Sequence, residues 1–159
     1  MPKTALIAVL CCLLQAKAAR AQCLGKDYMH HRLGFLKSSA IPVTDQLKEL
    51  LRYENQVDTC SWNKDSTHEM LLRRIATIYI NQADYTNAAL YLGRACDLIV
   101  NNSARLEINR KQVVTDYYFL SMVYDSLHNT TEKRKAQEMC IDMSLRFHIP
   151  SHIGALRCR

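Results

Sequence analysis

The strongest constraint on the fold is a pattern of apolar residues at three- and four-residue spacing between about residues 69 and 99 of this 159-residue chain. Such spacing places the apolar side chains on one face of a helix. The pattern stops at the polar sequence NQAD, where Asp84 is suited to cap a second helix, and then resumes. The first face contains Leu71, Leu72, Ile75, Ile78 and Tyr79, and the second contains Ala88, Ala89, Leu92, Ala95, Cys96 and Ile99. The segment therefore predicts two helices joined by a short turn.

The rest of the chain is also predicted to be helical. Ser66 and Glu69, in the sequence STHE, form a capping-box pattern that predicts the start of the first helix of this pair. Further helices are expected at 44–54, from the NNS loop at 101–103 to about residue 127, and at 131–147. The chain has three prolines and four glycines, and it lacks the period-two alternation of strands. The predicted fold class is all-α, with antiparallel helix pairs stacked on one another.

Residues 69–102 resemble the tetratricopeptide repeat, a helix–turn–helix unit of 34 residues. In that family, large residues lie on the first helix and small residues lie where the two helices cross. Ala83 stands where the family has a turn glycine. The resemblance implies a short solenoid whose repeat-defining core positions are Leu72, Ile75, Ala76, Tyr79, Tyr85, Ala88, Leu92 and Ala95.

A second, degenerate unit is expected at about 114–147. Its first helix has Tyr117, Leu120, Ser121 and Tyr124 at the repeat positions, and its second helix has Cys140 at the last small position. Thr130 replaces the aromatic residue and Lys133 replaces the first alanine. The unit begins 45 residues after Glu69, so its helices or loops are longer than in a standard repeat. The segment from Thr44 to Trp62 is a candidate for a further divergent unit.

The N-terminal 21 residues have the features of a secretory signal peptide. A basic start precedes the apolar run TALIAVLCCLLQA, and Ala19 and Ala21 provide a cleavage context that would leave Gln22 as the first residue. A buried N-terminal helix is the alternative. Cleavage would lower the net charge from +6 to +3, because Lys3, Lys17 and Arg20 are removed. We therefore expect export to the periplasm or the extracellular space, with no membrane insertion of the mature chain and no nucleic-acid binding.

These patterns divide the chain into a signal peptide at 1–21, a poorly specified segment at 22–41, a repeat-like helical domain at 42–149 and a tail at 150–159. The signal peptide, the sequence KDSTHEMLLRRIATIY and the widely spaced repeats resemble the N-terminal sensor part of Gram-negative envelope proteins. In those proteins the repeats precede a membrane segment and a histidine kinase or DNA-binding output. The resemblance implies either a short stand-alone member or a fragment of a sensor with further repeats or domains, and the abrupt ending GALRCR favours a fragment.

The cysteines leave the redox state open. Cleavage after Ala21 would leave five cysteines, an odd number, without any C-x-x-C pair. Cys96 and Cys140 occupy apolar helix positions, where a thiol behaves as a small hydrophobic residue. Cys23 with Cys60 is the only disulfide that the sequence suggests.

The sequence contains no recognisable catalytic motif. G-x-S-x-G, phosphate-loop and dinucleotide-binding patterns are absent, and His68-Glu69 does not extend to the H-E-x-x-H zinc motif. The other histidines lack metal-ligand spacing. We therefore expect no enzymatic activity, no cofactor and no metal site.

Two hypotheses of function follow. The first is a non-catalytic scaffold of the bacterial cell envelope that binds a protein or peptide segment, acidic or apolar, in a groove lined by first helices. The second is a small secreted helical enzyme or effector stabilised by the Cys23–Cys60 disulfide, a bond expected mainly on this second hypothesis. Of the adjacent aromatic residues, Tyr117 is expected in the core, and Tyr118 or Phe119 faces outward or into the groove. By resemblance, the groove residues are Arg73, Thr77, Asn81, Tyr118, Met122 and Asp125.

Overall fold

The computed structural model describes residues 23–38, 40–102 and 110–149. Within these ranges the chain forms six α-helices and no strand, which confirms the all-α prediction. The helices are α1 (Lys26–Ser38), α2 (Val43–Glu54), α3 (Ser66–Asn81), α4 (Tyr85–Asn102), α5 (Arg110–Ser126) and α6 (Thr130–Arg146), with a 3₁₀ turn at Val57–Thr59. The predicted signal peptide, the tail at 150–159 and Ser103 of the NNS loop lie outside the described residues.

Helix α1 lies in the segment that the sequence left poorly specified. Met29, Leu33 and Leu36 form its buried face, at spacings of four and three residues. These three apolar residues stand among charged and polar ones and two histidines, so the periodic signal is weak. Helices α1 and α2 each pack against α3. The proposed unit from Thr44 to Trp62 contains nearly all of α2 and the 3₁₀ turn at Val57–Thr59.

The start of α3 also differs from the prediction by one residue. Asp65 is the N-cap, and its Oδ1 accepts hydrogen bonds from the N–H groups of Thr67 (2.7 Å) and His68 (3.3 Å). The Lys26 ammonium lies 2.9 Å from the same carboxylate and joins α1 to this helix start. The capping box at Ser66 and Glu69 is therefore wrong, because aspartate directly before the serine is an equally good cap. Asn101 and Asn102 belong to α4 rather than to a loop.

Helix α3 is central to the packing. It contacts α1 and α2 on one side and α4 on the other, while α5 packs against α4 and α6. Met29, Leu50, Trp62 and Ile75 belong to one buried core among α1, α2 and α3. A second core extends from α3 to α6. The stacked rings of Tyr79 and Tyr91, with centroids 5.7 Å apart, pack against both cores and connect them.

A disulfide between Cys23 and Cys60 fixes the N-terminal segment to the loop after α2. The two residues are 37 apart in the chain, and closing a loop of this length stabilises a fold by roughly 3–4 kcal/mol in the chain-entropy account. Beside the bond, Trp62 Nε1–H donates to the Leu24 carbonyl oxygen at 2.8 Å. The bond and the indole together hold the start of α1 against the core.

The two remaining described cysteines differ from one another. Cys96 is a free, buried thiol on α4, as its apolar position predicts. Cys140 is fully buried on α6 but is disulfide-bonded, so the prediction of a simple buried thiol is wrong there. An isolated apolar helix position does not distinguish a thiol from half of a disulfide.

Candidate functional site

A cavity of about 320 Å³ lies over α3, between α1 and α5. Helices α3 and α5 are the first members of the α3–α4 and α5–α6 hairpins, and α1 precedes them in the chain. One lining residue comes from α4, and the others come from these three helices. The lining residues are Leu33, Gly34 and Lys37 from α1; Met70, Arg73, Arg74, Ala76, Thr77 and Ile80 from α3; Leu92 from α4; and Gln112, Asp116 and Phe119 from α5. We call this surface the groove.

The walls of the groove are mainly apolar and carry one exposed aromatic ring. Leu33, Met70 and Ile80 provide aliphatic surface on α1 and α3. Phe119 is 42% exposed, although it stands beside buried core positions on α5. Its ring lies 5.7 Å from the ring of Tyr118, measured between centroids. An exposed aromatic side chain at the edge of a concave apolar surface is typical of a residue that anchors a binding partner.

Three cationic side chains line the same groove. Arg74 donates from Nη2 to the Leu36 carbonyl oxygen (3.3 Å) and to Gln46 Oε1 (3.0 Å), both uncharged acceptors. Burial lowers the pKa of Arg74, and no carboxylate within the described ranges forms an ion pair with it. Arg73 differs, because its Nε lies 3.1 Å from Glu69 Oε1. Together with Lys37 these residues make the groove more basic than its few acids can balance.

Two buried carboxyl groups from different helices lie next to one another at the groove, which Asp116 lines. Glu69 on α3 and Asp116 on α5 are 9% and 1% exposed and lie within hydrogen-bond reach of one another. Burial raises the pKa of both groups, and the pKa of Asp116 reaches about 7 because Glu69 adds to the effect of burial. Gln112 Nε2 donates to Asp116 Oδ1 at 2.8 Å. Because a carboxylate has no proton to donate, the contact between the two acids requires one of them to be protonated.

The groove contains two of the six predicted groove residues. Arg73 and Thr77 line it, and the Thr77 hydroxyl donates to the Arg73 carbonyl oxygen at 2.9 Å. Asn81 lies one turn further along α3, is exposed, and does not line the groove. On α5 the groove is lined by Gln112, Asp116 and Phe119 instead of the predicted Tyr118, Met122 and Asp125.

The positions of those three α5 residues explain the difference. Tyr118 is partly buried against the core, Met122 is exposed, and the Asp125 carboxylate binds Lys133 Nζ at 2.7 Å. Successive residues of a helix point about 100° apart. The positions predicted for α5 by equivalence with α3 therefore lie on the face next to the one that lines the groove. The spacing of residues 112, 116 and 119 is itself helical, but the first two are polar, so apolar periodicity does not mark this face.

The eight predicted repeat-core residues all lie inside or at the edge of the core. Six are buried, and Tyr79 and Tyr85 are partly buried against the core among α3 to α6. The buried six are Leu72, Ile75, Ala76, Ala88, Leu92 and Ala95.

A second buried polar cluster joins α2, α3 and α4. His68 Nδ1 accepts the Lys64 N–H at 3.2 Å, and its Nε2 lies 3.2 Å from Glu54 Oε2. Arg94 forms an ion pair with the other oxygen of Glu54. Nδ1 of His68 is therefore occupied, whereas Nε2 lies at ion-pair distance from Glu54 Oε2 without an aligned hydrogen bond.

No family model, curated protein or solved structure matches this chain. Among the described residues, no cluster of three or more histidine, cysteine or acidic side chains is arranged to bind a metal. None of the helices in the described part of the chain is long and apolar enough to cross a bilayer.

Proposed function

We propose that the protein is a non-catalytic interaction scaffold, a short tetratricopeptide-like solenoid whose groove binds a peptide segment of a partner protein. The observation that carries this proposal is the composition of the groove. Its lining comes almost entirely from α1, α3 and α5, which alternate along the chain with α2, α4 and α6. Stacked helix pairs present their first helices on a concave surface, and such surfaces accommodate extended or helical segments.

The chemistry of the groove supports a peptide rather than a small polar metabolite. Apolar walls, the exposed ring of Phe119 and three cationic side chains suit a segment with both apolar and acidic residues. Among the described residues that line the groove, Asp116 is the one acidic side chain, and its raised pKa limits how much of the positive charge it offsets. Complementary charge of this kind directs partner choice and speeds association.

Export to the bacterial cell envelope is part of the same proposal. The Cys23–Cys60 disulfide supports an oxidising compartment, because structural disulfides persist there and are rare in reducing ones. The resemblance to envelope sensors supports a sensory role in signal transduction within a larger protein. A partner segment in the groove would then be the input that the sensor detects.

A secreted enzyme is the second candidate, and two observations favour it. The disulfide is the feature that this hypothesis expects, and a protonated carboxyl group in a cleft is suited to general acid catalysis. Asp116 is almost fully buried, however, and its Oδ1 already accepts a hydrogen bond from Gln112. A general acid must reach its substrate within hydrogen-bond distance, and the scaffold proposal does not require this access.

Selection from a random peptide library tests the proposal and does not require the natural partner to be identified first. Peptides that bind the mature protein should lose affinity for Thr77→Trp, which fills the groove from α3. Thr86→Trp is the matched control, because Thr86 is exposed on α4 and does not line the groove. Equal binding to both variants, or failure to select any peptide, would contradict a peptide-binding groove.

A further inference from the structure

Glu69 and Asp116 are two buried acidic residues that lie next to one another although they belong to different hairpins. One carboxyl group comes from α3 and the other from α5, and Asp116 lines the groove. Between these two hairpins the main packing is that of α4 against α5. A polar contact between α3 and α5 is therefore well placed to control how closely the two hairpins approach at the groove.

The surroundings of the pair allow only one of the two acids to ionise at low cost. From α3, Asp116 faces Glu69 and Arg73, and from α4 it faces the Cys96 thiol. On its own helix Gln112 donates a neutral hydrogen bond. Arg73 is the only cation in this set and is already within ion-pair distance of Glu69. A second negative charge would be buried beside the first without a cation of its own.

Two buried atoms of the pair support this interpretation. Asp116 Oδ2 and Glu69 Oε1 each lack a hydrogen-bonding N–H or hydroxyl donor among the described residues. Arg73 Nε is close to Glu69 Oε1 but is not aligned to donate to it. Two neighbouring buried carboxyl groups with unpartnered oxygens are satisfied by a shared proton, and they repel when that proton is lost.

We propose that Glu69 and Asp116 form a proton-operated catch that holds the α3–α4 and α5–α6 hairpins together at the groove. With one shared proton the catch is closed. When both groups are ionised, their repulsion separates α3 from α5 and the groove opens. The consequence for ligand binding rests on the proposed function of the groove, whereas the catch itself does not.

The pH range of the catch follows from the raised pKa of Asp116, which is about 7 in the folded chain. An unperturbed aspartate has a pKa of about 3.9. Between these values the folded chain binds a proton that the unfolded chain has lost, so the contribution of Asp116 to stability falls as pH rises toward 7. Above about pH 7 both states are ionised and the full repulsion is present. The catch is therefore closed in mildly acidic solution and open in mildly alkaline solution.

The free thiol of Cys96 provides a reporter for this opening. Cys96 is 1% exposed, and burial raises the pKa of its thiol, with smaller contributions from the charges of Asp116, Asp97 and Glu69. Its alkylation by N-ethylmaleimide can be followed by peptide mass spectrometry at each pH. Dividing the rate by that of the same chain unfolded in guanidinium at the same pH removes the dependence on thiolate fraction.

In the wild-type protein, protection of the Cys96 thiol from alkylation should fall by roughly tenfold between about pH 6 and pH 8.5. Opening is linked to loss of one proton from the Glu69–Asp116 pair, and one linked proton changes the opening equilibrium by at most tenfold per pH unit. Asp116→Asn should remain protected at every pH, because an amide donates to Glu69 permanently. Asp97→Asn is the control: its carboxylate also influences Cys96 but is exposed and outside the pair, so it should behave as wild type.

A pH dependence in Asp116→Asn equal to that of the wild type would overturn the proposal. Should that variant fail to fold, Glu69→Gln provides the same comparison. Amide exchange in α1 and α2 should stay constant over the same range, and loss of protection throughout the chain would instead mean global unfolding and would also overturn it. The alkylation experiment is done without a peptide, so its result does not depend on whether the groove binds peptides.

Discussion

The α3–α4 and α5–α6 hairpins turn in the same way but are held together differently. Two positions after each of α3 and α5 ends, the turn contains a residue in the left-handed region, Ala83 at φ 58° and His128 at φ 55°. In each turn the next N–H donates to a tyrosine carbonyl oxygen five residues earlier, from Asp84 to Tyr79 at 3.0 Å and from Asn129 to Tyr124 at 2.9 Å. These bonds satisfy the carbonyl groups that a helix end leaves free. The equivalent residues of the two turns are 45 positions apart in the chain, which is the offset between the two repeat units predicted from the sequence.

The contact between the helices of each pair is where the two hairpins differ. Ala88 and Leu92 are buried on α4, whereas Lys133, 45 residues after Ala88, is partly exposed and binds Asp125 near the end of α5. Helix α6 buries Ala136, Cys140 and Met143 instead. The two hairpins therefore share the same turn geometry but bury different positions of their second helices, α4 and α6. The turn geometry depends on backbone conformation, whereas the choice of buried positions depends on side-chain volume.

Extra volume at the equivalent positions 88 and 133 gives the largest expected difference. Ala88→Leu should destabilise the fold by about 1–3 kcal/mol, because a buried small residue leaves no space for a larger one. Lys133→Leu should change the free energy of unfolding by less than about 1 kcal/mol, since it replaces only a partly exposed ion pair. Urea unfolding measures both changes, and losses of similar size would mean that the two hairpins pack alike.

Thr86→Leu is the control for the change at Ala88, because Thr86 is exposed. Asn87 is unsuitable, although it is adjacent. Its Nδ2 donates to Asp84 Oδ2 at 2.7 Å, so its replacement would also disturb the start of α4.

The residues that begin α4 and α6 should respond differently to acid. Asp84 Oδ1 accepts the Asn87 N–H at 3.1 Å, and Asn129 Oδ1 accepts the Glu132 N–H at 3.1 Å. Hydrogen bonds from Asn87 lower the pKa of Asp84, so its stabilisation is complete above the unfolded pKa and is lost as pH falls through the folded pKa. Asn129→Ala should cost about 1 kcal/mol at any pH. The effect of Asp84→Ala should be present at pH 7 and diminish near pH 3; an effect of Asn129→Ala that also disappears in acid would refute the distinction.

The smallest effects are expected at the turns themselves. Glycine avoids the clash of a side chain in the left-handed region, although it also makes the unfolded chain more flexible. Ala83→Gly and His128→Gly should each stabilise the fold by roughly 0.5 kcal/mol, because both side chains are exposed and lose no packing. Thermal unfolding of the two variants checks this, and opposite signs would show that the turns are not equivalent.

The sequence predicted the α3–α4 hairpin closely and the rest of the molecule less well. Its apolar residues alternate with polar ones at helical spacing, and small residues at 88 and 95 mark the crossing of the helices. Helix α1 was missed because three buried residues among polar ones give little periodic signal. The groove was predicted only through Arg73 and Thr77, since the face of α5 that lines it includes the polar residues Gln112 and Asp116. The pairing of Glu69 with Asp116 depends on a contact between helices that no local pattern records.

Two neighbouring aromatic residues of α5 distinguish the groove from the binding surface that the sequence predicted, because each belongs to only one of them. Phe119 lines the groove and is 42% exposed, while Tyr118 packs partly against the core among α3 to α6. Truncating a ring that contacts a ligand reduces affinity, whereas truncating a ring in the core reduces stability. The two substitutions to alanine are otherwise closely matched.

The affinity of a library-selected peptide for Phe119→Ala and for Tyr118→Ala, each corrected for the folded fraction, tests the existence of a binding groove among α1, α3 and α5 most directly. We expect Phe119→Ala to weaken binding by roughly tenfold or more with little change in melting temperature. Tyr118→Ala should lower the melting temperature and leave the affinity of the folded molecules nearly unchanged. Unchanged affinity in Phe119→Ala together with a large loss in Tyr118→Ala would contradict the account and assign the binding surface to the neighbouring face of α5.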